Sequence, residues 1–412
     1  MSLSLMRPIP APVVVAPVAT AVPIGLMAMA GFASGSGMRL LDPLLPQVAD
    51  SLGVSVAAAS VLVASFMLPY GLGQAVLGPL GDRLGKLRVV CVAVVMYGLF
   101  VLACAVPSGL GTLVALRAVS GLFAGAIIPL MMAYLGDMVP YGERQATLGR
   151  FMTGMVMAQM LTGPISGLIG AHSGWRLSFV VLGVYAVGIG VVLTARLGRP
   201  AWKAVPMSGA TAVPGPVAYL NLLQRPAGRW LLISAFFDGL CMFGGAFPYI
   251  GAFLIQEFGL STASAGLLVA GFGAGAFVYT RFARRLVRRF GETGLILLGG
   301  GGVSVGIIGL ALSPNWQIAT LMQVVVGLTF YMFHGVLQAR ATEAIPEARG
   351  TAVGAFALAL FLGQGSGAMA FGAVLAISGY RTGFLAAGAA MLVLTVWCRA
   401  GLAVQPKLAE GT

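Results

Sequence analysis

The sequence predicts an all-α membrane protein, with twelve transmembrane helices in two pseudo-symmetric six-helix bundles. Three observations predict this. Apolar residues make up 59% of the 412 and charged residues only 8%, whereas a soluble globular chain is about half apolar and about a quarter charged. The apolar residues fall in runs of the roughly 18 or more that a helix needs to cross a bilayer. The basic residues collect in alternate breaks between those runs, as the positive-inside rule requires.

In order, the runs place helix 1 at 20–45, helix 2 at 56–77, helix 3 at 89–106 and helix 4 at 111–135. Helix 5 follows at 148–170 and helix 6 at 176–195. After a polar stretch come helix 7 at 230–255, helix 8 at 262–282, helix 9 at 293–313, helix 10 at 316–338, helix 11 at 350–376 and helix 12 at 382–400. Residues 1–19 read as a cytoplasmic tail, because they lack the charged start, apolar centre and cleavage site of a signal peptide. Residues 20–195 form the first bundle, the Pro- and Arg-rich 196–229 a cytoplasmic linker, 230–400 the second bundle and 401–412 a second cytoplasmic tail. With both termini cytoplasmic, 20 of the 24 Lys and Arg lie on that side. Arg39, Arg176 and Arg381 fall in loops on the other side, and Arg117 inside a span.

A net charge of +13 would suggest nucleic acid in a soluble protein. Here the cations sit between spans, so no nucleic-acid partner is expected; the partners are a bilayer, a small-molecule substrate and protons. Cys91, Cys104, Cys241 and Cys398 all fall within or at the ends of apolar runs and read as small buried residues. The chain has no Gly-Lys-Ser/Thr phosphate loop, no metal-ligand spacing and no hydrolase triad. Neither an enzyme nor a cofactor or metal is expected.

The chain repeats at half its length. "LGDRLGK" at 80–86 matches "LVRRFGE" at 286–292, "RQATLG" at 144–149 matches "RGTAVG" at 349–354, and "WRLSF" at 175–179 matches "YRTGF" at 380–384. Pro43 matches Pro248, and Gln159 matches Gln364. A nearly constant offset argues for two related halves, as parallel repeats give in transporters.

"GPLGDRLGKLR" at 78–88 resembles the signature loop between helices 2 and 3 of the major facilitator superfamily, and the whole chain is similar to its twelve-helix form. "RAVSGLFAGAIIP" at 117–129 resembles the helix 4 motif of the drug/proton antiporter branch. "GPISG" at 163–167 resembles the antiporters' helix 5 motif in Gly163, Pro164 and Gly167, and departs from it at Gln159 and Leu168. The resemblance implies a monomeric secondary transporter of the bacterial inner membrane, working by alternating access. It also implies that Asp82 docks against the other half near helix 11 and closes the cytoplasmic side. Gating is therefore assigned to Gly78, Asp82, Arg83 and Gly85, with Arg144 and Arg349 in the second pair of matching segments.

Charges inside spans are costly and mark functional sites. Arg117 lies about 10 Å into helix 4. It could pair with Asp42, near the end of helix 1, but Arg39 is three residues from Asp42 and competes for it. Asp238 is the one carboxylate well inside the apolar zone, and His334 on helix 10 lies at a similar depth. The two could form a proton relay or contact substrate; alternatively Asp238 caps a kink at Gly239 or bonds Ser234. Proton coupling is assigned to Asp238, Asp42, Arg117 and His334. Phe32, Phe237, Phe243 and Tyr331, with the paired amides Gln159 and Gln364, are expected to line a soft substrate pocket. Together these features lead to proton-coupled export of a lipophilic or amphiphilic compound, with proton-coupled or facilitated import of an organic acid or sugar as the alternative.

Overall fold

The computed structural model describes residues 23–139, 141–203, 222–344 and 349–404; both predicted tails and most of the predicted linker lie outside them. Helices make up the described chain, and no strand occurs among the described residues. We number them α1 (Ile24–Arg39), α2 (Leu45–Ser51), α3 (Val56–Ala59), α4 (Val61–Leu84), α5 (Lys86–Ala103), α6 (Leu110–Met138), α7 (Tyr141–Ser173) and α8 (Trp175–Lys203). In the second half follow α9 (Pro226–Phe258), α10 (Thr262–Val269), α11 (Gly271–Leu312), α12 (Trp316–Glu343) and α13 (Arg349–Val404).

Among the described residues nine helical stretches are long and apolar enough to cross a membrane. Two of them, Thr262–Leu312 and Ala352–Leu402, run 51 residues each. At 1.5 Å per residue that is about 77 Å, far more than the ~30 Å a bilayer core requires. Each reverses at a glycine with left-handed φ, Gly291 (φ 58°) and Gly379 (φ 77°).

Several boundaries differ from expectation, among them the end of α8, which runs to Lys203 inside the predicted linker, and two of the differences bear on the site. The run 20–45 is not one helix: α1 stops at Arg39, the chain turns over 40–44, and α2 begins with Pro46 in its first turn. Proline disfavours helical backbone in the residue before it, and Pro43 and Pro46 both fall in this segment. Secondly, the segment 78–88 is almost entirely helical. α4 runs on to Leu84, Gly85 alone breaks the helix with φ 99°, and α5 starts at Lys86. A left-handed φ costs glycine nothing, so one residue suffices for the turn.

α9 carries the most irregular backbone. After Asp238 it winds as a π-helix over Gly239–Ala246, then as a 3-10 turn over Phe247–Tyr249 around Pro248. α13 crosses it there at backbone distance. A Cβ on Gly239 would strike the Leu360 carbonyl, one on Gly244 the Gln364 carbonyl, and one on Gly363 the Phe236 carbonyl. Small residues let helices approach this closely in membranes, and π-turns recur at functional sites.

The halves meet along two seams. On one, Leu68 and Gly71 of α4 pack on Gly365, Leu358 and Phe361 of α13, and Ser60 packs on Gly372. On the other, Met160, Gly163 and Gly167 of α7 pack on Gly273, Gly266 and Thr262. Both seams lead towards the end of the bundle that carries α2 and α3. At the opposite end, the two described ion pairs each stay within one half: Lys86 Nζ to Asp137 at 2.5 Å, and Arg340 to Glu292.

Candidate functional site

Arg39 ends α1, where the turn at 40–44 aims its side chain inward. It is not a loop residue, as expected, but 3% exposed. Its Nε donates to Gln159 Oε1 of α7 at 2.8 Å. Its guanidinium lies over two rings of the second half, 4.6 Å from the centre of Phe243 and 4.4 Å from that of Phe247. Asp42 Oδ2 is 3.7 Å from Nη1, and both atoms are buried without a hydrogen-bond partner.

Of the two pairings open to Asp42, the structure therefore forms the one with Arg39. Arg117 is buried and points elsewhere. Its Nη1 donates to the Gly37 carbonyl at 3.0 Å and its Nε to the Leu62 carbonyl at 3.3 Å, with the guanidinium 4.3 Å above the Phe66 ring. It ties α6 to α1 and α4 through backbone acceptors.

Asp238 and His334 come together. Asp238, fully buried on the last α-helical turn before the π-helix, accepts from His334 Nδ1 at 2.6 Å. Its Oδ1 has no partner, and it makes no side-chain cap to the π-helix. Ser234 instead accepts from Cys398 Sγ. The imidazole stacks on Phe330 at 5.0 Å and tilts against Phe356 at 5.7 Å.

The two polar pairs are joined by rings. Arg39 lies over Phe243, Phe243 meets Phe330 edge-on at 4.7 Å, and Phe330 stacks on His334. Phe272 and Tyr331 extend the aromatic wall, Tyr331 stacking on Tyr279 at 6.4 Å. Gln364 is buried against α9 with Oε1 unpartnered.

Gln323, which the sequence reading overlooked, is fully buried on α12 with both amide atoms unpartnered. It is seven residues before Phe330 and eleven before His334, spacings that keep all three on one helix face. That spacing was the available signal. A buried unpaired polar atom costs about 1–3 kcal/mol, and six such atoms lie here, on Arg39, Asp42, Asp238, Gln323 and Gln364.

Other predicted residues stand apart. Phe237 is 44% exposed and its described ring contact is with Phe236. Phe32 faces Tyr185 of α8 in a separate groove. Gly163 and Gly167, flanking Pro164, sit on the α7 seam described above. At the Gly85 end, Arg83 is exposed, Gly78 faces open space, and Arg144 Nη2 donates to the Val139 carbonyl at the end of α6. The side chains of Asp82 and Arg349 lie outside the described residues. No cluster of potential metal ligands occurs among the described residues.

The family model of the Major Facilitator Superfamily matches residues 27–368 and 253–410. The chain belongs to this superfamily. The resemblance is thus confirmed at superfamily level, and the chain is a multi-pass membrane transporter and not an enzyme.

The inner membrane transport protein YdhP of Escherichia coli is 26% identical over 91% of this chain and 96% of its own length. A chloramphenicol resistance protein of Pseudomonas aeruginosa is 23% identical over 69% of this chain and 67% of its own. A gallate transporter of Pseudomonas putida is 26% identical over 54% and 45%. The crystal structure of a D-xylose–proton symporter superposes with a TM-score of 0.74 at 18% identity, covering 91% of this chain and 96% of that one. For this facilitator-superfamily protein, the comparison establishes the fold.

Proposed function

We propose that the protein is a proton-coupled exporter of a small lipophilic or amphiphilic compound, of the drug/proton antiporter kind, in the bacterial inner membrane. Two passes for each 51-residue stretch and one for α1 give twelve helices, six in 20–195 and six in 230–400. The halves rock about the site between them, with the Gly85 end cytoplasmic. Both seams run towards the other end, the arrangement expected of a state that opens to the cytoplasm.

The observation that carries this reading is the buried Asp238–His334 pair, joined through Phe330 and Phe243 to Arg39. Taking up one proton changes the charge of the pair by one unit in a low-dielectric interior. A substrate that alters the solvation of the pair must then alter its proton affinity, and by linkage the proton alters the affinity for substrate. That reciprocity is all that coupling needs. The resistance protein among the relatives supports the outward direction.

A second reading, proton-coupled import of an organic acid or sugar, is favoured by Arg39. Its Nη1 has no hydrogen-bond acceptor, and a substrate carboxylate could displace Asp42 there. The gallate transporter among the relatives is in keeping with this.

Everted vesicles with an acidified lumen separate the two. Addition of chloramphenicol, ethidium or another lipophilic compound from a panel is expected to alkalinise the lumen. Acidification on adding an organic acid would establish the second reading. Substrate flux without proton movement would remove coupling altogether.

A further inference from the structure

A groove of about 500 Å³ runs along the outside of the first half, between α1, α7 and α8. Phe32, Met157, Leu161 and Tyr185 line it, with Arg150 at one mouth. Phe32 and Tyr185 also border a narrower apolar crevice of about 140 Å³ that continues to Ile169. The Tyr185 hydroxyl donates to the Met29 carbonyl at 3.2 Å and fixes the floor. α8 packs chiefly on α5, α1 and α7, all of the first half, so the groove opens away from the site between the halves.

Along α7 the wide part runs from Arg150 to Leu161, eleven residues or about 16 Å. That is close to one leaflet of a ~30 Å hydrocarbon core. Arg196 lies eleven residues beyond Tyr185 on α8. Eleven residues are three helical turns, so Arg196 is on the same face of α8 as Tyr185 and about 16 Å nearer the Gly85 end. Both arginines are exposed, and no ion pair or hydrogen bond is described for either.

We propose that the groove seats an acyl chain of an anionic phospholipid, with its phosphate held between Arg150 and Arg196 at the bilayer surface. Basic pockets between membrane helices select anionic headgroups in this way. The assignment needs only that α7 and α8 span the bilayer, and it stands whatever the substrate.

The test is native mass spectrometry of the full-length protein, loaded with phosphatidylglycerol or with phosphatidylcholine of identical chains. Wild type should retain phosphatidylglycerol preferentially. The R150Q/R196Q double variant should lose about tenfold or more of that retention, from two cations near the surface, and fall to the phosphatidylcholine level. Leu161→Trp, which fills the groove, should lower retention of both lipids. Equal retention of both by wild type, or an unchanged preference in the double variant, overturns the proposal. So does displacement of the lipid by ethidium, which would make the groove a substrate entrance.

Discussion

In the first half Trp175 Nε1 donates to Ser51 at 2.8 Å; in the second Tyr380 donates to Gln256 at 2.7 Å, 205 residues further along at both partners. Arg176 donates to the Pro107 carbonyl, and Arg381 to those of Ala311 and Ser313. The halves thus share their joints. They differ in what they bury. At the same offset Arg39 faces Gly244, Asp42 faces Phe247, and Asp238 faces Ala33. The shared residues hold helix ends in register, where any half needs them. The unshared ones converge on the seam, where function demands asymmetry.

The largest expected effect tests which half holds the proton. Asp238→Asn should lower proton-coupled flux about a hundredfold or more, the scale on which a positioned proton-carrying group contributes. Asp42→Asn should cost far less, because Gln159, Phe243 and Phe247 still hold Arg39. Proton release measured on substrate addition in vesicles decides between them. The reverse order would move the coupling step into the first half.

Arg39 links the halves through its side chain, over Phe243 and Phe247. A desolvated cation–π contact is worth about 2 kcal/mol, so Arg39→Gln should shift the equilibrium about thirtyfold towards opening at the α2–α3 end. Spin labels at Val106 and Ile377, one in each half and both highly exposed, would report the separation. An unchanged distance distribution would show that glycine-mediated backbone packing alone closes that end.

Arg39 also shows where the sequence misleads. The all-α membrane-spanning fold was legible because composition and the length of the apolar runs carry it. Asp238 and His334 were legible as neighbours because depth along two spans is a count of residues. Arg39 was not, since it precedes an Asp-Pro turn and reads as a loop. Its role depends on how that turn aims it across the seam. The repeat held a clue, for Arg39 aligns with Gly244 in the middle of α9. Phe32 and Phe237 failed for a related reason: depth was readable, but azimuth around an all-apolar helix was not. Gln323 aligns within one residue of Arg117 and could have been found that way.

Trp175→Phe and Tyr380→Phe sharpen the comparison of joints. Each removes one hydrogen bond worth about 0.5–1.5 kcal/mol. Tyr380→Phe keeps its ring, whereas Trp175→Phe also trims a buried indole that lies under Arg176 at 4.3 Å. The loss of thermal stability in detergent, measured by intrinsic fluorescence with scattering, should therefore be greater in the first half. Equal losses would show that the hydrogen bond alone accounts for both joints.

The smallest effect concerns the charge pairs at the Gly85 end, where the halves mirror each other with signs exchanged. Lys86 pairs with Asp137, and 206 residues on from Lys86 stands Glu292, paired with Arg340. The Lys86–Asp137 pair has side chains 23% and 43% exposed, while Arg340 reaches Glu292 through both Nε and Nη2 and is only 9% exposed. Exposed pairs contribute about 0–1 kcal/mol, and forked, partly buried ones more. Asp137→Asn should therefore change stability by a few tenths of a kcal/mol and Glu292→Gln by more. Writing the second half's polarity into the first, as Lys86→Glu with Asp137→Arg, should restore whatever Lys86→Glu alone loses. If the exchanged pair recovers stability but not transport, the sign of the charge at residue 86 matters beyond the pair itself. It would then act on a group that only the moving halves bring near.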